Sequence, residues 1–108
     1  MKTGNILVID DDAEIREIVQ LLLSSEGYTV ETVADGMQAL TMLTEKTFLP
    51  DVIILDIMMP DMDGYSVCKQ IREISQVPVL FLTAKNRETD LVEGFLAGGD
   101  DYMQKPFS

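Results

Sequence analysis

Ile6-Leu7-Val8-Ile9-Asp10-Asp11-Asp12 is a run of four apolar residues stopped by three aspartates, and Val52-Ile53-Ile54-Leu55-Asp56 repeats the pattern. A short, β-branched run that is apolar at every position fits a strand buried on both faces, as in parallel sheets. After each run the period changes. Ile15, Ile18, Val19 and Leu22 fall at i, i+3, i+4 and i+7, and Val67, Cys68, Ile71 and Ile74 repeat a helical spacing. Asp11 or Asp12 can cap the first of these helices, and Gly27 lies past its end.

Working outward, Tyr28 to Val33 reads as a half-exposed strand. Asp35 can cap a helix through Ala39, Leu40 and Leu43 that Phe48-Leu49-Pro50 breaks. Val79-Leu80-Phe81-Leu82 is a third apolar run, ending at Thr83. Leu91, Val92, Phe95 and Leu96 suggest a helix closed by Gly98-Gly99, and Tyr102 to Lys105 a last strand stopped by Pro106. Strand and helix alternating in this way predict a parallel sheet with helices on both faces, joined by right-handed crossovers.

The composition narrows the chemistry. At 108 residues, with 46% apolar and 25% charged residues, the chain is one globular domain. It has no histidine, which removes imidazole bases, histidine metal ligands and an internal phosphohistidine. A single cysteine, Cys68, excludes an internal disulfide and is read as packing. Seven methionines are present, of which Met37 and Met42 are read as fillers of core gaps. Nineteen acidic residues against eight basic ones give a net charge of −11, so this segment is expected to repel nucleic acid and anionic membranes. With no signal-peptide pattern and no apolar stretch of membrane-spanning length, a cytoplasmic location is expected.

Asp10, Asp11, Asp56, Thr83 and Lys105 each stand at or just past the carboxyl end of an apolar run. In an open parallel sheet that edge is where ligands bind. Three carboxylates gathered there repel one another unless cations compensate, and one divalent ion together with Lys105 would balance them. Oxygen donors suit a hard cation such as Mg²⁺. Asp56, on a central strand, suits a nucleophile toward phosphorus that forms an acyl phosphate. Lys105 would meet the added charge and the Thr83 hydroxyl would donate to a phosphoryl oxygen. Taken singly, each residue has a plainer reading: Asp11, Asp12 and Asp35 as helix caps, Asp56 as a loop-initiating residue, Thr83 as a cap, Lys105 as a solvated lysine, Tyr102 as a core aromatic. Asp12 and Asp35 keep the capping role. An EF-hand loop fails at Met59 and Gln70, where it needs an oxygen ligand and a glutamate.

Four segments together resemble the receiver domain of two-component response regulators: Val8-Ile9-Asp10-Asp11; Asp56 followed by Met59-Pro60-Asp61-Met62-Asp63-Gly64; Pro78 through Thr83-Ala84; and Ala97 through Asp101-Tyr102 to Lys105-Pro106-Phe107. The resemblance implies a flavodoxin-like three-layer α/β sandwich with a five-stranded parallel sheet in the order 2-1-3-4-5. It implies one receiver domain over residues 1–108, cut before its fifth helix. Asp56 would be the phosphoacceptor, with Thr83 and Lys105 as its catalytic companions. Asp10, Asp11, Asp56 and the Met58 backbone carbonyl would hold Mg²⁺, and Thr83 and Tyr102 would form the switch pair.

The function so implied is a phosphorylation-dependent signalling switch, not a turnover enzyme. Lacking histidine, the chain must take its phosphoryl group from a partner histidine kinase or phosphotransfer protein. The segment from Leu91 to Phe107 resembles the OmpR/PhoB-type transcription factors. That implies dimerisation through the helix 4 and strand 5 face and a DNA-binding output domain in a longer natural protein. Two other readings fit parts of the pattern: a Mg²⁺-dependent phosphohydrolase with an Asp56 phosphoenzyme, and a pseudo-receiver that binds partners without phosphate. Met58, apolar and two residues past Asp56, cannot orient water, so slow self-dephosphorylation is expected.

Overall fold

The computed structural model describes residues 4–59 and 63–82 in full, and residues 83 and 101–104 by their backbone. Among the described residues the elements are β1 (Asn5–Ile9), α1 (Ala13–Ser25), β2 (Thr29–Val33), α2 (Gly36–Glu45), β3 (Val52–Asp56), α3 (Gly64–Ile74), β4 (Val79–Thr83) and β5 (Asp101–Gln104). The strands form one parallel sheet, as their alternation with helices predicts, in the order β2-β1-β3-β4-β5 that the resemblance implies. The helix expected through Leu91 to Leu96, together with Lys105 and Pro106, lies outside the described residues.

The pleat divides the apolar runs between two cores, because successive side chains of a strand point to opposite faces. Leu7 and Ile9, Ile53 and Leu55, and Val79 and Phe81 are buried with Ala39, Val67, Cys68 and Ile71 of α2 and α3. Ile6 and Val8, Ile54 and Leu82 are buried with Val19 of α1 on the other face. The result is the three-layer α/β arrangement expected of alternating strands and helices.

Aspartate begins all three described helices. Asp12 accepts from the Glu14 and Ile15 amides, Asp35 from Gln38 and Asp63 from Ser66, each satisfying backbone donors that the first turn leaves open. The choice between Asp11 and Asp12 is thus decided for Asp12.

The structure departs from the sequence reading at several points. Of the α1 stripe, Val19 is buried, but Ile18 is 46% and Leu22 52% exposed. Ile15, Val19 and Leu23 make the contact with the sheet instead. Helix α2 ends before Phe48-Leu49-Pro50, at Lys46, whose left-handed backbone (φ 57°) turns its N–H back onto the Met42 carbonyl. Met37 is exposed, not a core filler, although Met42 does pack against the core. The last strand is shifted one residue toward the amino terminus, to Asp101–Gln104.

Candidate phosphoacceptor and metal site

In the ladder between β1 and β3, Ile9 lies opposite Leu55, so the next residue of each strand is an aspartate. Asp10 and Asp56 therefore stand side by side at the carboxyl edge, and both are buried, at 0% and 2% exposure. Asp11 follows on the surface. One carboxylate oxygen from each of the three lies within 4.8 Å of the others.

The ion these residues imply has a spacing of its own. Opposed ligands of an octahedral Mg²⁺ are about 4.2 Å apart, twice the usual metal–oxygen distance. A set of carboxylate oxygens is the donor type a hard cation takes. Burying two carboxylates beside a third is costly without a compensating cation. The residues present fit the group.

Hydrogen bonds hold the ligands from behind. The Asp10 amide donates to the Val33 carbonyl (3.2 Å), tying the end of β1 to β2, and Asp10 Oδ1 accepts from the Asp12 amide (2.9 Å). Arg16, half-buried in α1, donates from Nη1 to the Asp10 carbonyl at 2.7 Å. Asp56 Oδ1 accepts from the Met58 amide at 3.2 Å, while the Ile57 amide donates to the Leu82 carbonyl at 3.1 Å. The loop after Asp56 then returns through Gly64, whose amide donates to the Ile57 carbonyl at 2.8 Å. Behind it, Tyr65 of α3 meets Phe81 of β4 edge to face, ring centroids 5.4 Å apart.

Of the other residues expected at this edge, Met58 directly follows the Asp56-Ile57 step, with its side chain 56% exposed. Beside it opens a depression of about 420 Å³ lined by Ile57, Met58, Met59 and Asp63. Asp56 lies opposite Leu82, so the backbone of Thr83 comes one residue past it on the neighbouring strand. Thr83 in turn pairs with Gln104, and Tyr102 with Phe81. Lys105 lies outside the described residues.

Two residues matter here that the sequence reading passed over. Arg16 reads as a solvated charge on a helix, and its bond to Asp10 depends on the side chain turning back toward the amino terminus of α1, as helical side chains do. Gly64 closes the loop motif, and its task shows only in the packing. A Cβ there would strike the Asp56 carbonyl oxygen and sit 2.7 Å from Ile57 Cα.

Comparison with known proteins agrees with this geometry. The family model described as the response regulator receiver domain matches residues 6–108. A probable transcriptional regulator, ycf27, from Guillardia theta is 48% identical over 103 residues, covering 95% of this chain and 40% of that protein. The transcriptional regulatory protein ResD of Bacillus subtilis is 46% identical, covering 95% of this chain and 42% of its own length. The chain thus spans less than half of these curated relatives. Among solved structures, the chemotaxis protein CheY4 of Vibrio cholerae superimposes with a TM-score of 0.91 at 36% identity, covering 99% of this chain and 90% of that one.

Proposed function

The chain belongs to the response regulator receiver family, and we propose accordingly that it is a phosphorylation-dependent signalling switch with Asp56 as phosphoacceptor. The observation that carries this reading is the convergence of Asp10, Asp11 and Asp56 at one sheet edge, two of them buried. Residues 1–108 act as one receiver domain.

Phosphoryl transfer is a displacement at phosphorus. An Asp56 carboxylate oxygen forms the new P–O bond while the P–N bond of the donor's phosphohistidine breaks; the imidazole nitrogen departs with the electron pair and takes a proton from solvent. Asp10, Asp11, Asp56 and the Met58 carbonyl would hold Mg²⁺, which would supply neutralisation of charge on the phosphoryl oxygens. The Met58 amide, already on Asp56 Oδ1, keeps the carboxylate oriented. The Thr83 hydroxyl and the Lys105 ammonium meet the phosphoryl oxygens as they arrive, and Tyr102 repacks when Thr83 moves.

A histidine kinase or phosphotransfer protein supplies the phosphoryl group, since the chain has no histidine of its own. Similarity to transcriptional regulators supports the OmpR/PhoB-type subgroup and a DNA-binding output domain in the full-length protein. The net charge of −11 argues that DNA contact belongs to that output domain and not to this segment. Pairing of two receivers runs through the face of the helix expected from Leu91 to Leu96 and of the last strand; among the described residues β5 is an edge strand of the sheet. The site is cytoplasmic, and among the described residues no helix is long and apolar enough to cross a membrane.

Intact-mass measurement after incubation with acetyl phosphate and Mg²⁺ tests the reading. The chain gains one phosphoryl group, and Asp56→Ala or chelation of the metal abolishes the gain. Sustained turnover of the phosphodonor beyond one equivalent, with no phosphorylated protein accumulating, would favour a phosphohydrolase instead.

A further inference from the structure

We propose that Arg16 is a positioning residue for the acidic pocket: its guanidinium holds the turn between β1 and α1 in the shape that presents Asp10 and Asp11 to a divalent cation. This inference rests on the metal-binding reading above.

Arg16 ties both ends of the turn at once. Its side-chain Nη1 donates to the Asp10 carbonyl at 2.7 Å, and its backbone amide donates to the Asp12 carbonyl at 3.0 Å. The peptide joining Asp10 to Asp11 is therefore held by its oxygen, and the orientation of that peptide sets where the exposed Asp11 carboxylate points. The bonds of Asp10 to the Val33 carbonyl and to the Asp12 amide are made at its amide and at Oδ1, away from this peptide. Arg72, by contrast, spends its guanidinium on the carbonyls of Ser75 and Val77 past the end of α3.

Two effects of Arg16 on a bound cation oppose each other. Its positive charge repels a second cation, which weakens binding. Its hydrogen bond pre-organises two ligands, which strengthens binding. The guanidinium rests on a backbone carbonyl and is partly open to water, where screening lowers repulsion toward its high-dielectric limit. Loss of the bond frees the turn that carries two of the three carboxylates. Positioning therefore outweighs repulsion.

The experiment is a Mg²⁺ titration of this chain and of Arg16→Met and Arg16→Lys, followed by the amide NMR shifts of Asp11 and Asp12, with thermal unfolding in EDTA alongside. Arg16→Met keeps the stem and removes the donor; its Mg²⁺ affinity falls about ten-fold, the low end of what removing a ligand's supporting hydrogen bond does. Arg16→Lys keeps a charged donor without the planar fork and falls between that variant and the parent. A tighter Mg²⁺ affinity in Arg16→Met would show that repulsion dominates and overturn the proposal. Unchanged affinity with a lowered unfolding temperature would also overturn it, leaving an ordinary structural bond. If the parent chain itself takes up no Mg²⁺, the metal reading falls first and this inference with it.

Discussion

Gly64, the first residue of α3, packs its bare Cα directly beneath the carbonyl of Asp56, leaving no room for a methyl group between helix and strand. Its amide, donating to the Ile57 carbonyl at 2.8 Å, is what brings the two backbones so close. Gly64→Ala gains up to about 1 kcal/mol of helix propensity but forces backbone against backbone, and overpacking of this kind costs about 1 to 3 kcal/mol. The clash wins because neither contacting atom belongs to a flexible side chain. Urea unfolding of Gly64→Ala is expected to give a net loss of stability, together with slower phosphoryl uptake because the Asp56 backbone shifts. A gain in stability would mean that the helix start can slide away without disturbing β3.

Neighbouring aspartates in the β1–α1 turn have separable roles, so their alanine variants should fail in different ways. Asp12 caps α1 through two amides, and Asp12→Ala is expected to lose about 1 kcal/mol of unfolding free energy while still accepting a phosphoryl group. Asp11 caps nothing and is exposed, so Asp11→Ala is expected to stay within about 0.5 kcal/mol of the parent while losing most of its Mg²⁺ affinity. Denaturant unfolding and Mg²⁺ titration of the two variants check both halves. Exchange of the two phenotypes would reverse the assignment of cap and ligand.

Much of this was legible in the sequence because strand ends are sharply marked. An apolar run that stops at an aspartate identifies both a buried strand and the functional edge, which is why the sequence alone places Asp10 and Asp56 together. Periodicity says which residues share a face, but not how much of that face a neighbour covers. Ile18 and Leu22 share a helical stripe with Val19 and still remain about half exposed. The end of α2 was missed for a different reason: Lys46 adopts a left-handed backbone that its side chain does not advertise. Arg16 was missed because a side chain reaching back to a carbonyl leaves no trace in the apolar pattern.

Lifetime of the phosphorylated form should depend on Met58. Its amide is fixed on Asp56 Oδ1, while its side chain stands 56% exposed at the rim of the adjoining depression. A thioether there offers only a weak acceptor to an attacking water. Met58→Asn adds donors and an acceptor at the same place, and its acyl phosphate is expected to decay several-fold faster, as followed by intact mass after the phosphodonor is removed. An unchanged or lengthened lifetime would show that water approaches from another side.

Asp56→Asn separates the cost of the site from its use. With Asp10 also buried and Asp11 within reach, Asp56 carries charge in a place that stability alone would not select. Like charges about 4 Å apart near a protein surface repel by up to about 4 kcal/mol, and screening and local cations reduce this, so removing one charge is expected to raise the unfolding free energy by about 1 to 3 kcal/mol in EDTA. Addition of Mg²⁺ should narrow or reverse the gap, because the parent gains a bound cation with all three ligands and the variant has lost one. Denaturant unfolding of both proteins with and without Mg²⁺ measures the four corners of this cycle. If Asp56→Asn is less stable even in EDTA, a fixed positive group already balances the pocket.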